Sequence, residues 1–388
     1  MNLKAIGAMI ALLLALYPPA GRAQMLGING HPFDSAEYND ATGVPYWQQI
    51  KLVRQLGLQW YRVNVLVLPT GNDFSQMDKL LQLAEGNHVR LLPVIIPQVN
   101  QADSLSAIQQ NAYQAAVSIV SHYKGRIHLW ELDNEQDVYS DYVYGEVCGP
   151  AVSSACRPSL CQGTLCTYDT TGQLLYALGA PDGESPIDFQ PQRLAIAEAL
   201  LMGLGQGVHD ADPTAQRIIN FAWIHFGFLQ AILSANIPFD IVGIHWYQNM
   251  GEITCPGQSL PCPANQIHPN VVTAIQSLTS KPIWMTELGY NPYNPVAGSS
   301  ANRVLEEQYT SSTLETYLVN PGVYPFRAIL IYELLDMVTA WNNGNSSQYG
   351  LYSTRLSSDG FVNVEAMKPL GSVLRRIAEE LRSRQNTD

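Results

Sequence analysis

The sequence predicts an α/β fold, a single (β/α)8 TIM barrel. Short β-branched runs alternate with helical patterns, the alternation repeats eight times, and no low-complexity linker divides the chain. Such alternation is typical of a parallel sheet, and eight units in order predict a sheet that closes into a barrel. The 388 residues less the first 23 leave 365, a length that single α/β barrels commonly have.

The eight predicted strands, in chain order, are "MLGING", "WYRVNVLV", "VRLLPVII", "IHLWEL", "RIINFAW", "DIVGIHWY", "PIWMTE" and "FRAILIYEL". The predicted helices that follow them are 45–56, 74–86, 104–123, 190–209, 226–235, 267–279, 301–319 and 366–383. Two connections are long, about 136–189 after the fourth strand and about 334–365 after the eighth. Loops of that length in a compact domain are usually functional or separately stabilised.

The N-terminus has the pattern of a secretory signal peptide. Lys4 precedes the apolar stretch "AIGAMIALLLALY", and "PPAGRA" places small residues before Gln24. We therefore expect cleavage after Ala23, a mature barrel domain over 24–388, and a periplasmic or secreted protein. No other apolar run approaches the roughly 20 residues that span a membrane, so we expect no membrane insertion after signal removal.

The six cysteines fall into two groups. Cys148, Cys156, Cys161 and Cys166 lie in the loop after the fourth strand, and Cys255 and Cys262 follow the sixth. An even count in an exported protein predicts disulfides, and the paired C-x-x-C spacings of zinc sites are absent. We expect Cys255–Cys262 and two bridges within the first group, for which three pairings are possible.

The composition is acidic and limits the expected partners. The formal net charge is −12, and loss of the positive Lys4 and Arg22 with the signal leaves −14. Such a surface repels nucleic acid and anionic polymers through its general field, so nucleic acid is not expected as a partner. We also expect a monomer. No metal or other cofactor is expected, because no H-x-H pattern ends the first strand and the histidines are scattered.

The stretch "RIHLWELDNEQD", residues 126–137, ends an apolar strand in the carboxylates Glu131, Asp133, Glu135 and Asp137. Burying unpaired carboxylates is costly, so a fold keeps them with compensation or for use. In a barrel they would lie at the carboxyl end of a strand, where active sites are found. Glu287, at the end of the seventh strand, supplies a partner. Two carboxylates on two strand ends are the minimum apparatus for glycoside hydrolysis.

The end of the fourth strand must be irregular for this site to form. In a regular strand, Asn134 and Glu135 would point to opposite faces. Both can serve one site only if a bulge or a similar irregularity re-aims them. We interpret Glu131 as a structural acid that is paired in or near the barrel.

The sequence resembles a known group of enzymes, the clan A retaining glycoside hydrolases. Within this group it is most similar to families 39 and 5. "WELDNEQ" looks like their fourth-strand motif, in which Asn-Glu carries the acid/base, and "WMTELGY" looks like their seventh-strand nucleophile motif. "YRVNV" resembles their second strand and "GIHWY" their sixth. The departures are Asp133, where many relatives have Trp or Gly, and Tyr332 and Glu333, where a Trp platform is common.

The resemblance implies a role for each matching position. Glu135 would be the acid/base, Glu287 the nucleophile, and Asn134 a ligand of the sugar 2-hydroxyl. Arg62 and Tyr247 would hold Glu287 ionised. The other residues expected to line the site or bind substrate are His245, Trp246, Tyr332 and Trp341, with Tyr290 and Tyr293 also expected at the rim.

These observations predict an exported retaining glycoside hydrolase that cleaves β-linked poly- or oligosaccharides by double displacement. Glu287 would attack as the anion, and Glu135 would first donate a proton and then activate water. A transglycosidase with the same residues and a barrel that binds polysaccharide without cleaving it remain alternatives. The acidic charge favours a neutral carbohydrate as the substrate.

Overall fold

The computed structural model of the chain describes residues 24–140, 167–168, 174–175, 183–189, 191–257, 266, 268–290, 299–319, 322–341 and 345–385. The predicted signal peptide lies outside these ranges, and so do five of the six cysteines. Cys255 is described, and it forms a disulfide. The predicted pairings therefore stay predictions.

Eight parallel strands close into a barrel, as the alternation of strands and helices predicted. The barrel strands are β1 (Met25–Gly30), β2 (Trp60–Val67), β3 (Arg90–Pro97), β4 (Leu129–Leu132), β5 (Gln216–Ala222), β6 (Ile241–Tyr247), β7 (Ile283–Gly289) and β8 (Phe326–Ile331). Each strand pairs with its neighbours in chain order, and β8 closes the ring against β1, where Ile331 is in register with Ile28.

A helix follows each strand at the position that the sequence predicted, with ends that differ by a few residues. The helices that alternate with the barrel strands are α1 (Tyr46–Gln55), α2 (Ser75–Gly86), α3 (Leu105–Tyr123), α4 (Pro191–Ala211), α5 (Phe226–Ser234), α6 (Val271–Leu278), α7 (Ser299–Val319) and α8 (Pro369–Gln385). A short additional helix, Gln136–Ser140, follows the end of β4. Their apolar faces pack on the outside of the barrel and form the main hydrophobic core. Within the described residues, no helix combines the length and the apolar character needed to cross a membrane.

The inside of the barrel is layered, with an apolar layer below a polar one. A buried cluster that includes Trp60, Leu129 and Ile218 fills the lower part, and the Trp60 ring meets the Trp284 ring edge-on at 5.7 Å. Because side chains alternate along a strand, the residues two positions further on point into the same interior one layer higher. On β2, β4 and β5 these residues are Arg62, Glu131 and Asn220, and all three are buried.

The long connection after β8 contains two hairpins that the sequence did not predict, Met337–Trp341 with Asn345–Ser347 and Tyr352–Leu356 with Val362–Met367. A buried ion pair fixes this connection to the start of α8. Lys368 Nζ donates to Asp336 Oδ1 at 2.7 Å and to the Gln348 carbonyl at 2.6 Å. Lys368 therefore holds Asp336 and Gln348, both in this connection, close to the start of α8.

Candidate active site

The end of β4 is irregular, as the site required. The strand stops at Leu132, and Asp133 and Glu135 both have positive φ, 60° and 49°. This left-handed backbone is unfavourable for L-residues, so contacts around it must hold it in place. With this turn, Asn134 and Glu135 both line the cleft at the barrel mouth. The prediction of an irregular strand end is confirmed.

Arg62, on β2, is the centre of the polar layer. Its buried guanidinium donates from Nε to Glu131 Oε2 at 2.5 Å and from Nη2 to Asn134 Oδ1 at 2.7 Å. Nη1 donates to Asn29 Oδ1 and to Glu287 Oε1, each at 2.8 Å. The planar guanidinium thus links both carboxylate-bearing strands, β4 and β7, and fixes their relative position. The interpretation of Glu131 as a paired structural acid is confirmed.

Glu287 accepts a hydrogen bond on each carboxylate oxygen. Arg62 bonds to Oε1, and the Tyr247 hydroxyl donates to Oε2. The ring of Tyr247 fits because Gly289 has no side chain, since a Cβ there would lie 2.5 Å from Tyr247 Cε1. Burial and the neighbouring Glu287 charge raise the pKa of Tyr247 well above its usual value, so the phenol remains a donor.

Glu135 faces Glu287 across His245. The His245 Nδ1 lies 2.8 Å from Glu135 Oε1 and 3.6 Å from Glu287 Oε1. One oxygen of each carboxylate and a ring nitrogen of His245 lie within 4.8 Å of one another. The side chain of Glu135 is 27% exposed, whereas that of Glu287 is 6% exposed, so solvent reaches the first far more easily.

The opposite charges in this cluster stabilise each other's ionised forms. Burial opposes ionisation of Glu131, but the Arg62 charge outweighs it and lowers the pKa of Glu131 to about 2. Burial likewise opposes the charged form of His245, but the surrounding carboxylates of Glu287, Glu131 and Glu135 raise the pKa of His245 to about 10. His245 is therefore a cation at neutral pH, and its Nδ1 donates to Glu135. His245 Nε2 lies 3.8 Å from Glu131 Oε1, too far for a hydrogen bond.

The same three side chains could be considered as ligands of a cation, but their contacts favour an acid/base arrangement. Both oxygens of Glu287 already accept from Arg62 and Tyr247. His245 Nδ1 likewise lies within hydrogen-bond distance of Glu135 Oε1, at 2.8 Å.

The cleft above these residues has a volume of about 1040 Å³. Asp133 lines it next to Asn134, and burial raises the pKa of Asp133 to about 7. His31, Asp34 and Asn64 also line it. Among the described residues, no Lys or Arg lines the cleft.

A further buried acid lies beside the cleft just after β8. Glu333 is fully buried and accepts a hydrogen bond from the Tyr38 hydroxyl at 3.0 Å. Burial raises the pKa of Glu333 to about 8, although His31, with Nε2 at 3.5 Å from Oε2, opposes the shift. The neighbouring Tyr332 lines the cleft, as expected, and its ring lies 6.0 Å from that of Tyr247.

The expectations for the other aromatic residues were less accurate. The prediction that Trp246 lines the cleft is wrong. Its side chain points away from the barrel interior into the core, and its indole N–H donates to the Gly251 carbonyl at 3.0 Å. Tyr290 is also buried, with its ring 6.2 Å from that of Tyr309. The side chain of Trp341 and the whole of Tyr293 lie outside the described residues.

Sequence reasoning missed two buried asparagines and one tyrosine of this site. Asn29 contacts Arg62, Asn220 contacts Glu131 at 2.7 Å, and Tyr349 lines the cleft with its ring 5.4 Å from that of Tyr332. The asparagines had a readable signal: each is the one polar residue near the end of an apolar strand, in "MLGING" and "RIINFAW". Tyr349 stands in an irregular loop segment that offers no pattern.

Solved structures that superpose on this chain include glycoside hydrolases. A family 39 glycoside hydrolase from the gut symbiont Bacteroides cellulosilyticus WH2 superposes with a TM-score of 0.57 at 15% identity, and the match covers 92% of this chain and 64% of that one. A family 1 β-glucosidase from Thermotoga maritima gives a TM-score of 0.59 at 12% identity, over 93% of this chain and 98% of that one. This chain thus spans less than two thirds of the family 39 structure's length.

The virulence factor SghA from Agrobacterium tumefaciens is also similar, with a TM-score of 0.56 at 13% identity, covering 95% of this chain and 98% of that one. No protein-family model matches the chain, and no curated protein matches it in sequence. At these identities the likeness shows the fold. The barrel that the resemblance to clan A implied is confirmed, and the activity has to be argued from the site.

Proposed function

We propose that the protein is an exported, retaining glycoside hydrolase that cleaves β-glycosidic bonds of a neutral poly- or oligosaccharide. The observation that carries this proposal is that one carboxylate oxygen of Glu135 lies within 4.8 Å of one carboxylate oxygen of Glu287 at the mouth of the barrel. Retaining enzymes hold their two carboxyl groups about 5–5.5 Å apart, whereas inverting enzymes leave about 6.5–9.5 Å for a water molecule. The short separation supports direct attack by one carboxylate on the sugar.

The contacts assign different roles to the two acids. Glu287 is held by the Arg62 cation and the Tyr247 hydroxyl, which stabilise its anion, so it serves as the nucleophile. Glu135 is more exposed and projects from the turn after β4, so it can reach the leaving oxygen and later a water molecule. Protonation of the leaving group, attack of Glu287 on the anomeric carbon, and hydrolysis of the resulting ester then complete a double displacement.

The lining of the cleft supports a neutral substrate. Asp34, Glu37 and Asp133 stand around it, and no Lys or Arg does so among the described residues. A polyuronate or a sulfated glycan would bring negative charge to this wall without a counter-charge. Tyr247, Tyr332 and Tyr349 line the cleft and offer ring faces on which neutral sugar rings can stack. Export rests on the apolar N-terminal stretch and the even count of cysteines.

The first experiment measures turnover on a panel of β-glucans, β-mannans, xylans, polygalacturonate and alginate. We expect cleavage of at least one neutral polymer and slower cleavage of the acidic ones. Glu287→Gln should abolish turnover while the fold is retained. Glu135→Ala should spare 2,4-dinitrophenyl glycosides, whose leaving groups need no proton, and azide should then yield a β-glycosyl azide.

Glu85→Gln is the matched control, because Glu85 pairs with Arg126 on the surface, away from the cleft. This variant should keep wild-type turnover. A first product with inverted anomeric configuration would contradict the retaining mechanism. Absence of cleavage on every β-linked substrate would contradict the function itself.

A further inference from the structure

Asn220, on β5, holds the turn that carries Glu135. Its side chain is buried, and its Nδ2 donates to Glu131 Oε1 and to the Asp133 carbonyl, each at 2.7 Å. Its Oδ1 accepts from the Glu135 backbone N–H at 2.8 Å. One amide thus bonds to the peptide groups on both sides of Asn134.

This contact lies where the backbone needs support. Asp133 and Glu135 both have left-handed φ, which L-residues rarely adopt without tertiary contacts. A primary amide offers a donor and an acceptor side by side, and here it joins the carbonyl of the first of these residues to the N–H of the second. Asn220 therefore stabilises the conformation that turns Glu135 toward the cleft.

The neighbouring strand leaves room for this amide. Gly243, on β6, is in register with Asn220, and a Cβ at Gly243 would lie 3.0 Å from the Asn220 Cβ. Asn220 belongs to the upper, polar layer of the barrel interior, one layer above the apolar Ile218. The strand pairing therefore places the amide beside the end of β4.

Asn29, on β1, makes the equivalent connection on the other side of the site. Its Nδ2 donates to the Thr286 carbonyl at 3.0 Å, on the residue before Glu287, and to the Ile331 carbonyl at 3.2 Å. Its Oδ1 accepts from Arg62 Nη1, the same nitrogen that donates to Glu287. Asn220 thus bonds to the backbone at Glu135, and Asn29 bonds to the backbone next to Glu287.

We propose that Asn220 is the positioning residue of the acid/base Glu135, whereas Asn29 positions the nucleophile Glu287. The geometric part of this inference rests on the contacts above. Its kinetic part rests on the proposed function. Asn220 touches no reacting atom, and it acts through the direction in which Glu135 points.

The kinetic test compares Asn220→Ala with Asn29→Ala on aryl glycosides of whichever sugar the wild type cleaves. Loss of acid positioning should lower kcat/KM for phenyl glycosides by about 100-fold, the size of effect that a misplaced catalytic group produces. Because 2,4-dinitrophenolate leaves without a proton, kcat/KM for the dinitrophenyl glycosides should stay within about fivefold of wild type. Asn29→Ala should slow both substrates alike.

A double-mutant cycle separates positioning from general damage to the fold. In a Glu135→Ala background, Asn220→Ala should change kcat/KM by less than about twofold, because the group it positions is gone. Asn29→Ala should keep its full effect in the same background. An undiminished effect of Asn220→Ala there would overturn the proposal.

A structural measurement makes the test independent of turnover. In a crystal structure of Asn220→Ala, the φ of Glu135 should leave the left-handed region, or its carboxylate should move away from His245. If the alanine variant does not fold, Asn220→Ser takes its place, because serine is smaller than asparagine but still has a polar side chain. An unchanged Glu135 would refute the inference even if the wild type proved inactive on every glycoside, an outcome that contradicts only the proposed function.

Discussion

Replacing Glu131 with Gln should destabilise the barrel in a way that depends on pH. Glu131 is fully buried, and its pKa is lowered from 4.5 to about 2, since the Arg62 charge outweighs the burial that favours the neutral acid. Glutamine resembles the protonated acid in both the folded and the unfolded chain. The variant therefore loses the stabilisation that ionisation of Glu131 gives to the fold.

The magnitude follows from the shift. A depressed pKa contributes stability above the unfolded value of 4.5, and that stability is lost as the pH falls through the folded value of about 2. A shift of about 2.5 pKa units corresponds to about 3 kcal/mol at pH 7. By the same linkage relation, about 2 kcal/mol of the difference should remain at pH 3.5.

Urea unfolding of the wild type and of Glu131→Gln at pH 7, 5 and 3.5 measures this difference. The control is Glu85→Gln, which removes an exposed partner of Arg126 and should cost within about 0.5 kcal/mol at every pH. A Glu131→Gln variant as stable as the wild type at pH 7, or a difference that does not shrink with acid, would refute the assigned role of Arg62.

Three further predictions concern other parts of the molecule. Lys368→Met removes the cation from a buried ion pair with Asp336 and should cost about 3–5 kcal/mol in urea unfolding. Since the pKa of His245 is raised to about 10, ¹⁵N NMR of its ring should show the cation at pH 8, and a neutral ring at that pH would contradict the charge assignment. Mass spectrometry of unreduced peptides should find Cys255 linked to Cys262, and a link to any other cysteine would contradict that pairing.

The barrel was predictable because its determinants are local. The run "RIINFAW" is apolar and β-branched, and the segment after it has helical periodicity, so the strand and helix of the fifth unit could be assigned from neighbouring residues alone. The order of eight such units then fixed the closure of the sheet. The hairpins after β8 escaped prediction, because tertiary contacts such as that of Lys368 with Asp336 hold them, and these contacts join residues far apart in sequence.

Only the site residues that stand in recognisable sequence motifs could be predicted. Asn-Glu and the seventh-strand Glu identified the two carboxylates, and "YRVNV" identified Arg62. The role of Trp246 could not be settled by its position after His245, because adjacent residues on a strand face opposite sides and the choice of side depends on the register of the barrel. Here the interior side belongs to His245 and Tyr247, which leaves Trp246 in the outer core.

The charge distribution of the site suggests how one acid could serve two successive roles. The negative Glu287 is the largest influence that keeps the buried His245 protonated. When Glu287 becomes an ester in the proposed intermediate, that negative charge disappears, while the His245 cation still donates to Glu135 at 2.8 Å. Glu131, an anion with its Oε1 3.8 Å from His245 Nε2, then remains beside the cation. Glu135 has by then given its proton to the leaving oxygen, so it can accept a proton from the attacking water while His245 Nδ1 still lies 2.8 Å from it.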